Sequence, residues 1–185
     1  MAADEAVVFD TLTLAFSGDP PSRWVWPDPR TYLDAFPRFA KVFGGEAFAH
    51  GSAYRIGSAG AALWLPPEVG PDEKALGELI ERTVPQAMQA DVGALFEEMG
   101  SYHPTEPHWY LPLIGVDPAH QGEGLGGALL RHALLACDRD HRPAYLESTN
   151  VLNIPLYERH GFEILATIQV GSSPPIYPML RLPRS

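Results

Sequence analysis

The stretch Leu113-Ile-Gly-Val-Asp-Pro-Ala-His-Gln-Gly-Glu-Gly-Leu-Gly-Gly-Ala-Leu-Leu130 decides how this chain folds. An apolar strand runs to Val116 and Asp117-Pro118 bends it. A glycine-rich loop then opens into a helix on which Leu129, Leu130, Ala133, Leu134 and Cys137 recur at helical spacing. Glycine lets the backbone take positive φ and approach a ligand closely. A helix start also leaves N–H groups without intrahelical partners, at the end that carries partial positive charge. Strand, glycine loop and helix together predict an anion site of the kind that holds a pyrophosphate.

Two spacings fit these letters. Gly122, Gly124 and Gly127 satisfy G-x-G-x-x-G, and Glu147 follows about twenty residues on, as a dinucleotide fingerprint requires. That motif opens a doubly wound domain, and the chain after Gly127 is too short for several further βα units. No Lys-Ser or Lys-Thr follows the glycines, which excludes a Walker loop. The second spacing, Gln/Arg-x-x-Gly-x-Gly/Ala, is met by Gln121, Gly124 and Gly126. Downstream, Ala144-Tyr-Leu-Glu-Ser-Thr149 reads as a strand and Asn153-Ile-Pro-Leu-Tyr-Glu-Arg-His-Gly-Phe162 as a short helix. Asn153 is its expected N-cap, Pro155 fits the first turn, and Gly161 is a natural C′ residue.

The loop at 121–126 resembles the acyl-CoA pyrophosphate loop of the GNAT superfamily of N-acyltransferases. Asn153, Tyr157 and Gly161-Phe162 resemble its second signature, and the two stand in the right order. Within the superfamily, Ala62-Leu-Trp-Leu-Pro-Pro67, Pro107-His-Trp-Tyr-Leu111 and Tyr145-Leu-Glu-Ser-Thr149 are similar to the puromycin N-acetyltransferase-like branch. The likeness covers most of the chain from about residue 10 and is strong over 107–162.

The resemblance implies an α/β (α+β) fold, with a central mixed sheet, splayed parallel strands and flanking helices. It implies acetyl-CoA as co-substrate, held by Ile114, Gly115, Val116, Gln121, Gly122, Glu123, Gly124, Leu125, Gly126, Gly127 and Asn153. The pantetheine arm would bond to backbone near Ile114 and Val116, and Tyr157 would be the general acid. Gly115, in mid-strand, marks either a bulge or a close packing contact. The family pattern implies the bulge. Glu147, on the strand beside the splayed pair, is the candidate base, with Glu106, His103 and His108 as runners-up. His108 has the right reference pKa for proton transfer near neutrality. Glu123 departs from the pattern, since many relatives carry Lys or Arg there. A carboxylate beside a pyrophosphate is unfavourable unless it turns to solvent.

Composition bounds the rest. The chain has 185 residues, 45% hydrophobic and 19% charged, which suits one domain over 1–185. Residues 1–100 would form acceptor-side helices and a hairpin, 108–162 the acetyl-CoA core, and 163–185 the C-terminal strands. A net charge of −10 with no basic stripe argues against nucleic acid and mildly favours a cationic partner. No apolar run nears the roughly eighteen residues of a membrane span, and the start lacks a basic leader, so the expectation is cytoplasmic. Cys137, the single cysteine, cannot form an internal disulfide and sits on its helix's apolar face. The seven histidines show no metal spacing, and no metal is expected.

Helices are expected over 4–17, 32–43, 72–82, 84–98, 121–138 and 153–160. Strands are expected over 47–55, 59–65, 108–116, 144–149, 162–170 and 176–182, with a usual first strand missing. The resemblance implies that the N-terminal segment bearing Trp24, Trp26, Tyr32 and Phe36 walls the acceptor site, with Trp64 able to join it, while Phe36 and Trp64 fit a core between helices and sheet equally well. The function that the resemblance implies is N-acetyl transfer from acetyl-CoA to a primary amine of a small molecule or peptide, by a monomer or homodimer. A non-catalytic CoA-binding interaction module and an NAD(P)-binding protein are the alternatives.

Overall fold

The computed structural model describes residues 2–184; Met1 and Ser185 lie outside them. Among the described residues, eight helices and six strands follow one another in an α/β order. Helices α1 (Ala2–Ala15), α2 (Pro20–Val25), α3 (Pro29–Gly44) and α4 (Glu46–Ala49) precede the hairpin β1 (Ala53–Ile56) and β2 (Gly60–Leu65). Helices α5 (Glu73–Thr83) and α6 (Gln86–Ser101) lead into the central strand β3 (Trp109–Val116). Then come α7 (Leu125–Arg139), β4 (Ala144–Ser148), α8 (Ile154–Arg159), β5 (Glu163–Ile164) and β6 (Tyr177–Arg181).

Three helix starts follow from one device. Asp19, Asp28 and Asp72 each accept a hydrogen bond from a backbone N–H three residues on, at 3.1, 2.8 and 3.0 Å. Prolines follow two of these caps directly, where their missing N–H costs nothing.

The sheet runs β1-β2-β3-β4-β6-β5, and only β3 and β4 are parallel. A single parallel pair is not a doubly wound sheet, so the dinucleotide reading loses its architecture. Among the described residues no strand precedes α1. Alternation along the strands divides two cores. Ala61, Leu63, Leu65, Tyr110, Leu113 and Tyr145 join α1, α3, α5 and α6 on one face. Ala62, Trp64, Trp109, Leu111, Ala144 and Leu146 join α7 and α8 on the other.

Tyr110 and Leu113 share a face although three residues apart, which a regular strand forbids. The register explains it. Leu63 pairs with Leu113 but Leu65 with Tyr110, so β3 carries one extra residue at Leu111-Pro112. The bulge expected at Gly115 thus lies three residues earlier. Pro112 has no N–H to give the ladder, and a bulge is where a sheet tolerates it. Gly115 itself pairs regularly with Ala61. It is glycine because α1 lies on it: a Cβ there would stand 2.5 Å from Ala15 Cβ.

Two other expectations fail locally. Residues 46–49 form α4 instead of beginning the first hairpin strand, with Ala47 buried and Phe48 edge-on to Phe9 at 5.6 Å between ring centroids. The strand expected over 162–170 pairs only at Glu163–Ile164 and through a lone Ile168–Ile176 bridge. Ser173 Oγ takes the Val170 N–H at 2.9 Å, and Pro174-Pro175 follow, so a turn competes with the ladder there.

Candidate functional site

β3 and β4 pair over Trp109–Leu111 and Ala144–Leu146, and there the parallel ladder stops. β3 runs on to Val116 beside β2, and β4 runs on to Ser148 beside β6. The two strands splay from the bulge onward. The Asp117 N–H donates to Ala59 O at 2.8 Å, which fixes the parity of the antiparallel ladder. Residues 113, 115 and 117 therefore point their backbone groups at β2, and Ile114 and Val116 point theirs into the gap. Gln121 Nε2 reaches Val116 O there at 3.5 Å.

A cleft of about 730 Å³ fills this gap. Ile114, Gly115, Val116, Gln121, Gly122, Gly124, Leu125, Gly126, Gly127, Glu147, Asn153 and Tyr157 all line it. Gly122 and Gly124 have φ of +83° and +81°, conformations that favour glycine. Gly124 caps α7 with no side-chain hydrogen bond, so the first-turn N–H groups of this 15-residue helix stay open to the cleft. Glu123 is the one anticipated cofactor residue that does not line the cleft. Its carboxylate lies 3.3 Å from His120 Nδ1 in an exposed pair.

Asn153 is not the side-chain cap expected of it. Asn150 fills that role a turn earlier, accepting from Leu152 N at 3.0 Å, and Asn153 makes no capping bond. Its amide is left free to face the cleft. Gly161 closes α8 at φ +91°, as its position suggested. Tyr157 is buried except toward the cleft, and burial, then the charge of Asp19, raises its phenol above the ordinary range. Asp19 was not anticipated. It lines the cleft, accepts from Ser22 N and Ser22 Oγ, and takes a short hydrogen bond from Thr149 Oγ1 at the end of β4. Burial raises its carboxyl pKa. Only the Asp-Pro-Pro capping pattern could have pointed to this residue.

Glu147 faces the same side of the sheet as Tyr145, and it also borders a second cleft of about 680 Å³ between α3, α5 and α6. That cleft is walled by Phe43, Leu76, Ile80, Phe96, Met99 and Tyr110, with Glu68, Glu73 and Glu97 around it. The Glu147 side chain is 3% exposed and pairs with His103 at 3.1 Å. His108 and His103 line this cleft too, so these two runner-up bases stand beside Glu147; Glu106 does not line it and meets His108 through its carbonyl. Tyr110 and Tyr145 pack on His103, their phenols pushed up by burial and then by the charge of Glu147. The expected aromatic wall is elsewhere. Trp26, Tyr32, Phe36 and Trp64 are buried in the two cores, and Trp24 bonds Ser172; none lines either cleft. Apolar spacing alone does not tell a core aromatic from a cleft aromatic.

Cys137 is fully buried and its thiol is pushed up to about 12 by burial, so it is packing and not a nucleophile. Among the described residues no His, Cys, Asp or Glu group is placed to hold a metal ion, and no helix is long and apolar enough to cross a membrane.

Residues 88–164 match the family model for the acetyltransferase (GNAT) domain. The chain is 26% identical to the solved histone acetyltransferase HPA2 and related acetyltransferase from Corynebacterium glutamicum, with TM-score 0.68 over 100% of this chain and 94% of that one. Arylalkylamine N-acetyltransferase 2 of Aedes aegypti shares the fold at 16% identity, TM-score 0.66, over 100% and 96%. An uncharacterized N-acetyltransferase of Schizosaccharomyces pombe is 34% identical over 42% of this chain and 32% of its own length. Mycothiol acetyltransferase of Mycolicibacterium gilvum is 37% identical over 44% and 29%. The chain spans about a third of the length of these curated relatives. The fold matches that of solved acetyltransferases, and the stretch 88–164 is similar to the GNAT acetyltransferase domain.

Proposed function

We propose that this protein is an N-acetyltransferase that takes acetyl-CoA in the first cleft and an amine from the second. One observation carries the reading: Glu147 borders both clefts, at the point where β3 and β4 diverge. The first cleft fits the donor by its chemistry, with open amides at the α7 start for a pyrophosphate and open β3 backbone at Ile114 and Val116 for an amide-bearing arm. Glu123, the residue that threatened this fit, does not line the cleft and pairs with His120. The similarity to the puromycin N-acetyltransferase-like branch rests on the three sequence segments named above and names no acceptor.

Acetyl-CoA, when bound, supplies a thioester carbonyl and a thiolate leaving group. An alkylamine is mostly protonated at neutral pH, with a pKa near 10. Glu147 takes that proton, so that the nitrogen lone pair can form the C–N bond as the C–S bond breaks, and the acylated nitrogen gives up its second proton to the departing thiolate, leaving an amide and a free thiol. The Val116 N–H is the donor available to the carbonyl oxygen. Tyr157 stays a phenol at any working pH because burial raises it. A thiol of pKa about 8.5 is at least about 2 kcal/mol too acidic to take a full proton from such a phenol. Tyr157 therefore serves as a hydrogen-bond donor to the departing sulfur.

The second cleft suits an amine carried on an apolar or aromatic shank, with carboxylates at hand for a further cation. Free-thiol release from acetyl-CoA with 2-phenylethylamine and 1,5-diaminopentane tests this. Turnover of either is the expected result, and a preference for the diamine assigns weight to the surrounding carboxylates. Stabilisation by acetyl-CoA with no turnover across a broad amine panel would make the chain a CoA-binding interaction module. Stabilisation by NAD alone would overturn the assignment of the first cleft.

A further inference from the structure

A line of three contacts leads away from Glu147. Its Oε1 lies 3.1 Å from His103 Nε2. His103 Nδ1 lies 3.3 Å from His108 Nε2. His108 Nδ1 lies 2.8 Å from the carbonyl oxygen of Glu106. The line starts at a carboxylate only 3% exposed, passes a ring 29% exposed, and ends at a half-buried ring next to exposed Glu106.

The last contact fixes the proton count. A carbonyl only accepts, so His108 must donate from Nδ1. Each of the other two contacts also needs one proton. Two neutral imidazoles carry two protons between them, and three contacts need three. With Glu147 ionised and both rings neutral, one contact sets a lone pair against a lone pair. The line is complete only when it holds one proton more.

We propose that His103 and His108 form a proton relay that empties Glu147 during turnover. This rests on Glu147 as the base of the proposed function. The ammonium N–H bond breaks, its electron pair stays on nitrogen, and the proton bonds to the Glu147 carboxylate. Glu147 passes a proton to His103 Nε2, His103 passes its Nδ1 proton to His108 Nε2, and the His108 imidazolium releases its Nε2 proton to water while keeping Nδ1–H on the Glu106 carbonyl; exchange with water then returns His103 from the Nε2–H to the Nδ1–H tautomer before the next cycle. One proton moves from ammonium to solvent, with no other reactant.

The surroundings suit that direction. Burial, and then the facing His103 against the opposing pull of the Glu106 carbonyl, Glu147 and the Glu106 carboxylate, leaves His108 below its ordinary pKa. It therefore holds a proton weakly at the solvent end. The other titratable groups against the pair are Tyr110 and Tyr145, whose rings pack on His103, Tyr145 also packing on His108. Both remain protonated, so neither competes as a base. The only ion pair of Glu147 among the described residues is with His103. The relay is absent from either motif that marked the domain, since His103 and His108 precede β3.

Imidazole nitrogen spectra of the full chain with labelled histidine, taken from about pH 5 to about pH 9, read the shared proton without turnover. His108 should appear as the Nδ1–H tautomer when neutral, and Glu147→Gln, which removes a charge that favours its protonation, should move the His108 midpoint downward by half a unit or more. A neutral His108 protonated at Nε2, or a His108 midpoint unmoved by Glu147→Gln, would overturn the relay. In thiol release with 2-phenylethylamine, His108→Gln should lower kcat about tenfold with KM for acetyl-CoA unchanged. Added imidazole should restore the rate, which it would not do for a damaged fold. An unchanged kcat, or a loss that imidazole leaves untouched, counts against the relay. Failure of the wild type to acetylate any amine would instead sink the proposed function, while the spectra still decide whether the proton is shared.

Discussion

Tyr157→Phe separates chemistry from packing better than any other single change. The ring is buried among α8 and the sheet, edge-on to Phe162 at 6.1 Å between centroids, and the substitution keeps all of that contact. Its hydroxyl opens on the cleft and has no hydrogen-bond partner among the described residues, so its removal orphans nothing in the protein. Stability should stay within about 0.5 kcal/mol of wild type, the range of changes that break no packing, hydrogen bond or cap. What is lost is one hydrogen bond to the sulfur as it gains charge. A bond to a charged group is worth about 1.5–3 kcal/mol, which predicts a fall in kcat of about 10- to 150-fold. Stopped-flow or steady-state thiol release checks this, under conditions where chemistry limits turnover and not product release. KM for acetyl-CoA should hardly move. A Phe variant within twofold of wild-type kcat, with chemistry shown to be limiting, would refute the role of the phenol.

Other changes probe the scaffold and the cofactor loop. Gly115→Ala drives a methyl to within 2.5 Å of Ala15 Cβ and should cost about 1–3 kcal/mol by overpacking, read as a lower Tm. Gly124→Asp places a charge and a side chain at φ +81° beside the open amides; acetyl-CoA stabilisation should vanish in calorimetric or thermal-shift titrations while a cooperative melt survives. Arg181 is 3% exposed and holds Asp138 by two bonds of 2.7 and 2.9 Å, so Arg181→Met should cost about 3 kcal/mol, roughly 6–12 °C in Tm. Those bonds hold the Asp138 carboxyl below its ordinary 3.8, so its contribution is full above that value and disappears as pH falls through the depressed one. The stability gap between wild type and Arg181→Met should therefore narrow in acid, as urea titrations at several pH values will show.

The glycine loop and the two strands beside it are legible in the sequence because their letters are bound to backbone conformation. Gly122 and Gly124 sit at positive φ, and Gly161 ends its helix the same way. Other features depend on partners remote in sequence. The extra residue in β3 is visible only in its register with β2, and Pro112 is the one local hint. Gly115 reads as a kink in its own strand, although its reason is Ala15, a hundred residues earlier. The acceptor-side aromatics are misplaced by sequence because Trp26, Tyr32 and Phe36 obey the same spacing whether they face a core or a cleft. His103 and His108 stand out only singly in the sequence, and their alignment on Glu147 needs the turn after α6 to bring all three together.

The meeting of two clefts at Glu147 has a kinetic consequence. If each opening serves one ligand, as proposed, neither has to leave before the other can enter. Acetyl and amine would meet while both carriers are still bound, and no residue need carry the acetyl group in between. Cys137, the strongest nucleophile by type, is sealed away from both openings. Initial-rate plots against one ligand at several fixed levels of the other should give intersecting lines, as a ternary complex does, where an acetylated enzyme would give parallel ones.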